Sequence, residues 1–78
     1  MPREAEPPYL RISDDLRRKI ETGEILRGEQ LPSLDRLSAE YGVSRATAQR
    51  AIRVLAEAGL VETRRRWGVF VTEAKPES

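Results

Sequence analysis

Residues 42–52 combine a tight turn with the start of an amphipathic helix, in the sequence Gly42-Val43-Ser44-Arg45-Ala46-Thr47-Ala48-Gln49-Arg50-Ala51-Ile52. Ser44 is suited to cap that helix, because its hydroxyl oxygen can accept a hydrogen bond from a backbone N–H of the first turn. The helical period directs one small apolar flank toward a core and a polar sector away from it. The predicted core flank comprises Ala48, Ala51, Leu55 and Ala58 with Ile52 at its edge, and the polar sector comprises Arg45, Ala46, Gln49 and Arg53.

A second, shorter helix is predicted just before this turn. Ser33 is a candidate N-cap for it, and Leu34, Leu37 and Tyr41 form an apolar stripe across residues 34–40. Two helices joined by a turn of about four residues are typical of a helix-turn-helix. The second helix of that motif presents its N-terminal residues to base edges in the major groove of DNA. We therefore predict a DNA-recognition helix that runs from about Arg45 to Glu57 or Ala58.

Two side chains on the outer face of the predicted recognition helix are suited to reading bases. Arg45 can bond guanine O6 and N7 in a bidentate manner, and Gln49 can do the same with adenine N6 and N7. The alternative is that both are ordinary exposed polar residues. For Arg50 and Arg53, phosphate contact and simple solvation are equally compatible with the sequence.

A β-hairpin is predicted after the recognition helix. Residues 60–63 and 69–72 are rich in β-branched residues, and the basic segment Arg64-Arg65-Arg66-Trp67-Gly68 joins them. A hairpin in this position is a wing, whose cations can lie along phosphates or enter an adjacent minor groove. Trp67 either caps the core at the base of the wing, the interpretation that the sequence favours, or contacts sugar and backbone as an amphipathic side chain.

The rest of the chain predicts a supporting helix, a connector and two polar ends. Tyr9, Ile12, Leu16 and Ile20 recur at helical spacing, and Gly23 is a natural stop. In the connector, Ile25, Leu26 and Leu31 are expected to fill the core, with Leu31 adding a short strand to the hairpin. The expected organisation is a flexible arm over residues 1–8, one domain over 9–72 and a polar tail over 73–78. The fold class is mainly α with a small β-hairpin, a winged helix-turn-helix.

Composition excludes several other classes of function. The 78 residues contain no Cys and no His, which rules out disulfides, thiolate zinc sites and histidine-based catalysis. No catalytic, metal-binding or cofactor-binding residues are predicted. No apolar run is long enough to span a membrane, and the acidic, proline-containing start is unlike a signal peptide, so cytoplasmic residence is expected.

The charge distribution is polarised along the chain. Residues 1–43 contain seven Lys/Arg and nine Asp/Glu, whereas residues 44–68 contain six Arg and two Glu. A basic surface confined to one part of a small domain is the electrostatic signature of a polyanion binder, although a solvated charged face would also produce it.

Together these segments resemble the N-terminal winged-helix domain of the GntR family of bacterial transcription regulators, over most of the chain. The resemblance depends on the order and spacing of several short pieces. They are Ile20-Glu21-Thr22-Gly23, Gly28-Glu29-Gln30-Leu31-Pro32-Ser33, Gly42-Val43-Ser44-Arg45 with Ala46-Thr47, Ala51-Ile52 with Leu55, Gly59-Leu60-Val61 and Gly68-Val69-Phe70-Val71.

The resemblance implies a role for individual residues. Arg45 would read a guanine, Ser33 would contact phosphate, and the wing would reach the minor groove. Ser44, Ala46 and Thr47 would line the start of the recognition helix on the DNA. The complete set of expected DNA-binding residues is Ser33, Arg36, Ser44, Arg45, Ala46, Thr47, Gln49, Arg50, Arg53, Arg64, Arg65, Arg66, Trp67 and Gly68.

The chain departs from the family pattern in three places. Asp35, with Arg36 next to it, stands where many members have an Arg that contacts DNA. Gln49 and Arg50 replace a common Arg and Glu, and Arg66 and Trp67 replace a common Gly and Arg at the wing tip. These departures predict an altered base preference and a bulkier wing.

The expected partner is a double-stranded DNA operator, bound by a monomer or by dimers on a two-fold site. Family members usually continue into a domain that binds an effector and dimerises, and nothing after Val71 could do so. The chain is thus expected to be an isolated DNA-binding domain or a minimal regulator, more often a repressor, without an effector site.

A winged-helix protein-interaction module is the main alternative. The sequence has neither the aromatic stacking platform that is typical of RNA-binding proteins nor the catalytic constellation that an enzyme requires.

Overall fold

Three helices precede a two-stranded antiparallel sheet in the computed structural model, which describes residues 6–73. The helices and strands are, in order, α1 (Pro8–Thr22), α2 (Leu34–Tyr41), α3 (Arg45–Glu57), β1 (Val61–Arg64) and β2 (Gly68–Val71). The predicted fold class is confirmed. Both strands lie one residue from their predicted positions, and α1 begins at Pro8, the last residue of the predicted arm. The rest of that arm and of the tail lies largely outside the described residues.

The supporting helix α1 buries one stripe of its surface. Ile12, Leu16 and Ile20 recur every four residues and are each less than 5% exposed. Pro8 occupies the first turn, where its missing N–H costs no helical hydrogen bond. Ser13 lies fully buried in the same stripe, and its hydroxyl donates to the Leu10 carbonyl at 3.0 Å. The buried polar group is therefore satisfied within the helix.

The core lies where α1 and α3 meet and is closed by α2 and the hairpin. Ala48, Ala51 and Leu55 on α3 are completely buried, and Ile52 is 6% exposed. Alanine at two successive positions on this face lets α1 approach closely, because the distance between packed helices depends on the side chains at the contact. The predicted core flank of the recognition helix is confirmed at these four positions.

Two apolar residues lie outside the core, contrary to expectation. Ala58 is exposed because α3 ends at Glu57, so Ala58 belongs to the cap instead of the buried helical flank. Leu26 is 63% exposed and begins a tight turn on the surface. The Leu26 N–H donates to the Glu29 carboxylate at 2.7 Å, and the Leu26 carbonyl accepts from the Glu29 N–H at 3.0 Å. The predictions of burial at Ala58 and Leu26 were wrong.

The connector runs beside β2 and fixes the hairpin to the helical body. The Leu31 N–H donates to the Val69 carbonyl at 2.8 Å, and the Val71 N–H donates to the Glu29 carbonyl at 2.9 Å. This pairing is an isolated bridge next to the two-stranded sheet. The prediction that the Leu31 segment extends the hairpin is therefore confirmed in this reduced form.

A hydrogen bond between side chains connects α2 to α1. The Tyr41 hydroxyl donates to the Asp15 carboxylate at 2.6 Å, and Lys19 lies 3.5 Å from the same carboxylate. The Tyr41 hydrogen bond and the nearby lysine lower the pKa of Asp15, although partial burial opposes them. Burial and the hydrogen bond to Asp15 raise the pKa of Tyr41. The contact fixes the end of α2 immediately before the turn that leads into α3.

Candidate nucleic-acid interface

The turn between α2 and α3 has the geometry of a helix-turn-helix. Gly42 has φ +68°, a left-handed conformation that glycine adopts without steric cost, and it ends α2. Ser44 then caps α3, its hydroxyl oxygen accepting from the Thr47 N–H at 3.1 Å. Ser33 caps α2 in the same way through the Arg36 N–H at 3.2 Å. The predicted caps and the predicted turn are confirmed.

The first turns of α3 present a polar surface to solvent. Arg45, Ala46 and Gln49 are exposed, as is the capping Ser44. Thr47 is half-buried, and its Oγ1 accepts a hydrogen bond from the Ser44 hydroxyl at 3.1 Å. Because Ala48 and Ala51 occupy the opposite, buried side, the helix holds this surface in one orientation.

Arg45 forms an ion pair with α2 that sequence analysis did not predict. Its Nε lies 2.9 Å from Asp35 Oδ1, although the two side chains are 68% and 77% exposed. Asp35 was flagged only as a departure from the family pattern. The turn between the helices brings Asp35, in the first turn of α2, next to the first residue of α3.

The wing tip is a three-residue loop between Arg64 and Gly68. The Trp67 N–H donates to the Arg64 carbonyl at 3.0 Å, and Arg66 has φ +75°. A positive φ at the third position of a β-turn is usually supplied by glycine, so the common family glycine replaced by Arg66 fits this geometry better than arginine does. Trp67 follows this turn and is 71% exposed. The favoured prediction that Trp67 packs on the core was therefore wrong.

The three arginines of the wing differ in how far their charge is available. Arg64 folds back along the strand, with Nη2 2.7 Å from Glu62 Oε2 and its guanidinium 4.6 Å from the centre of the Phe70 ring. Arg65 and Arg66 are exposed and have no ion pair with any residue in the range 6–73. The free positive charge of the wing therefore lies at its tip.

A cleft of about 420 Å³ between the wing and the two helices brings together the predicted residues from three separate segments. Its wall includes Ser33 at the start of α2 and Arg45 at the start of α3. Arg66, Trp67 and Gly68 form the facing wall on the wing. Residues more than thirty positions apart in the sequence thus share one concave surface with cations on both sides.

Three predicted arginines lie apart from this cleft. Arg36 is paired with Glu40 on the exposed face of α2, its Nε 3.2 Å from Glu40 Oε2. Arg50 stacks over the Tyr9 ring at 4.3 Å and so faces α1. Arg53 is exposed, one turn after Gln49 on α3. The positions of Arg50 and Arg53 are compatible with either phosphate contact or simple solvation. Stacking on Tyr9 also gives Arg50 a structural role.

Gln30 also contributes to the wing, although the sequence analysis named it only as part of the family resemblance. Its side-chain amide donates to the Trp67 carbonyl at 2.5 Å. Gly68 leaves room for this contact, because a Cβ at that position would lie 2.6 Å from Gln30 Nε2. Gly68 also has φ +115°, which disfavours any other residue. No pattern within either segment indicates the contact.

Among residues 6–73 there is no cluster of acidic side chains arranged to hold a metal ion. In the same part of the chain, none of the helices has the length and apolarity that crossing a bilayer requires.

Two features define a winged helix-turn-helix domain. The recognition helix α3 is capped and has an exposed polar start, and a basic hairpin faces it across a cleft. Residues 8–71 match the profile described as "Bacterial regulatory proteins, gntR family". The chain belongs to the GntR family, as the sequence resemblance predicted.

Curated relatives from bacteria are similar over nearly the whole chain. The mannosyl-D-glycerate transport/metabolism system repressor of Escherichia coli is 37% identical over 90% of the chain. The histidine utilization repressor of Klebsiella aerogenes is 36% identical over 99% of the chain. The chain spans only 29% and 32% of the lengths of these two proteins. Both are named as repressors, which agrees with the prediction of a regulator instead of an enzyme.

Solved structures show the same architecture. The DNA-binding domain of AraR in complex with operator ORX1 has a TM-score of 0.82 and 32% identity, covering 85% of this chain and 80% of that one. A GntR family transcriptional regulator from Listeria monocytogenes has a TM-score of 0.84 and 32% identity, covering 88% of this chain and 60% of that one. The fold is therefore one that is found bound to operator DNA.

Proposed function

We propose that this chain binds double-stranded operator DNA in a sequence-specific manner and regulates transcription, as a repressor. The observation that carries the proposal is the capped start of α3, where Arg45 and Gln49 are exposed and Arg45 faces the basic wing tip across one cleft. The AraR domain bound to operator has this fold, and the two curated relatives are repressors.

The proposed contacts divide into base readout and positioning. Arg45 and Gln49 reach base edges in the major groove, where a bidentate contact contributes about 1–3 kcal/mol of discrimination. Ser33 lies against the phosphate backbone, and Ser44, Ala46 and Thr47 line the start of α3 on the DNA. The wing tip, with Arg65, Arg66 and Trp67, lies along the backbone or in the adjacent minor groove, where cations are attracted without regard to sequence.

The assembly and location of the protein complete the proposal. A single copy binds a half-site weakly, and two copies occupy an operator whose halves are related by two-fold symmetry. No effector site is proposed within this chain, and the protein resides in the cytoplasm of a bacterium. Selection of bound sequences from a random duplex pool tests these points together, because the selected sequences report half-site, symmetry and spacing.

Two arginine variants test the division of roles. Arg45→Ala should weaken binding to the selected duplex by about 1–3 kcal/mol and relax preference at one base pair. Arg65→Ala should weaken binding to selected and random duplexes alike and reduce the slope of log K against log salt by about 1. Arg18→Ala is the matched control, because it removes the same charge from an exposed position on α1.

The alternative function, a protein-interaction module, makes the opposite prediction. Fluorescence anisotropy at low salt would then detect no binding to either duplex. Equal losses on selected and random DNA for Arg45→Ala would show that Arg45 contacts only the backbone.

A further inference from the structure

The ion pair between Asp35 and Arg45 is the feature of the interface that the proposed function does not yet explain. The two atoms are 2.9 Å apart, yet both side chains are more than two-thirds exposed. An exposed pair of this kind contributes little to folding stability, because solvent screens the charges and two flexible side chains lose entropy. An acidic residue also weakens attraction to DNA phosphates. Its position at the recognition surface therefore requires another consequence.

The hydrogen-bonding groups of arginine indicate that consequence. Arginine has five N–H donors in one plane, and Asp35 engages only the Nε edge of Arg45. The Nη groups stay available, and they are the donors at the far end of the fork that can bond guanine O6 and N7. Arg45 can therefore contact a carboxylate through Nε and a guanine through its Nη groups at the same time. The carboxylate restricts the plane in which the guanidinium meets the guanine.

Within the described part of the chain, the Asp35 carboxylate forms an ion pair with Arg45 and with no other cation. The nearest acidic neighbour on α2, Glu40, is paired with Arg36 instead. Asp35 lies in the first turn of α2, where the helix dipole favours its charge. Its helix is itself fixed by the Ser33 cap and by buried Leu37. The carboxylate thus projects from a rigid element and not from a loop.

We infer that Asp35 is a specificity-determining positioning residue, which holds the guanidinium of Arg45 in the orientation that reads a guanine. The inference rests on the proposed function and adds a residue to it. Asp35 lowers the affinity for all DNA through its charge and raises the discrimination at one base pair through its ion pair with Arg45. A residue that acted only through its charge would do the first and not the second.

Three variants separate these effects. Asp35→Ala removes both the charge and the side chain that lies beside Nε, and Asp35→Asn removes the charge but keeps a polar side chain of the same shape there. Glu40→Gln is the matched control, because it neutralises a carboxylate on the same helix that is paired elsewhere. Dissociation constants are measured by fluorescence anisotropy on three labelled duplexes: the selected sequence, that sequence with the Arg45-dependent G·C pair changed to A·T, and a random duplex. Circular dichroism checks that each variant is folded.

Asp35→Ala should bind the random duplex more tightly while its discrimination between G·C and A·T falls by about three- to tenfold, part of the range for a bidentate contact. Asp35→Asn should bind random DNA equally tightly but keep more of the discrimination than Asp35→Ala, because a polar side chain of the same shape still lies beside Nε. Glu40→Gln should tighten binding to all three duplexes by a similar factor. In an Arg45→Ala background, Asp35→Ala should no longer change the G·C preference.

Unchanged discrimination in Asp35→Ala, with the wild type still preferring G·C, would overturn the inference and leave the proposed function intact. Tighter binding to all three duplexes by one factor would likewise show that Asp35 acts by charge alone. Failure of the wild type to distinguish selected from random DNA would overturn the proposed function itself, and this inference with it.

Discussion

Leu37 is the only residue of α2 that is fully buried, and its truncation tests how the recognition surface is held. An eight-residue helix is marginal in isolation, so α2 depends on packing for its stability. Leu37 is 1% exposed and lies in the same core cluster as Leu55 and Leu16. We predict that Leu37→Ala destabilises the whole domain.

The expected magnitude follows from the burial. Leu37→Ala removes about three methylene equivalents at about 0.8 kcal/mol each, and the cavity that remains adds to this loss. The total is about 3–4 kcal/mol, within the range of fully buried leucine truncations. A 78-residue domain has about 4–12 kcal/mol of stability, so this single change removes a large part of it.

The assay is urea unfolding followed by far-ultraviolet circular dichroism. With a urea dependence of about 1–1.5 kcal/mol per molar, the midpoint should fall by about 2–4 M. Leu26→Ala is the matched control, because the same substitution at a residue that is 63% exposed should change stability by less than about 0.5 kcal/mol. Equal shifts in the two variants, or a loss below about 1 kcal/mol for Leu37→Ala, would refute the packing of α2 described above.

Two further predictions concern the contacts that orient α2 and the wing. Tyr41→Phe should remove about 1 kcal/mol at pH 7, because Asp15 loses a hydrogen bond but stays partly solvated. The lowered pKa of Asp15 stabilises the wild type above pH about 4, and this contribution disappears as the pH falls through the folded-state value, so the acid dependence of unfolding should be shallower in Tyr41→Phe. A variant with an unchanged acid limb would contradict this. Gly68→Ala should destabilise by about 1–3 kcal/mol, because it forces an alanine to φ +115° and against Gln30. Thermal unfolding measures the loss, and Gln30→Ala in the same chain should restore only the part due to the steric contact; a Gly68→Ala protein as stable as the wild type would argue against the wing geometry.

Much of the fold was predictable from local chemistry. Ser33 and Ser44 cap their helices through hydrogen bonds to residues three positions ahead, so the signal is contained within a few residues. The exposed start of α3 was predictable for a related reason. A helix with Ala48 and Ala51 on one side has to turn Arg45 and Gln49 outward when that side is buried.

The errors arose where a residue's environment depends on a turn. The apolar character of Leu26 favours burial, but Leu26 begins an exposed turn that is closed by its own hydrogen bonds to Glu29. Trp67 carries the same apolar signal, and its exposure follows from a turn with a positive φ at the residue before it. Hydrophobicity predicts which residues gain from burial, whereas turn geometry decides which of them reach the core.

Two contacts that shape this interface depend on how separate elements pack together. Asp35 meets Arg45 only because two helices are held at a particular angle, and Gln30 meets Trp67 only because the connector pairs with β2. The sequence alone established the helices, the hairpin, the polarised charge and the family, since each depends on residues that are neighbours along the chain or one helical turn apart. Two features required the tertiary structure: the assembly of one cleft from three segments and the ion pair of Arg45. Distances between residues in separate segments are set by packing and not by any local pattern.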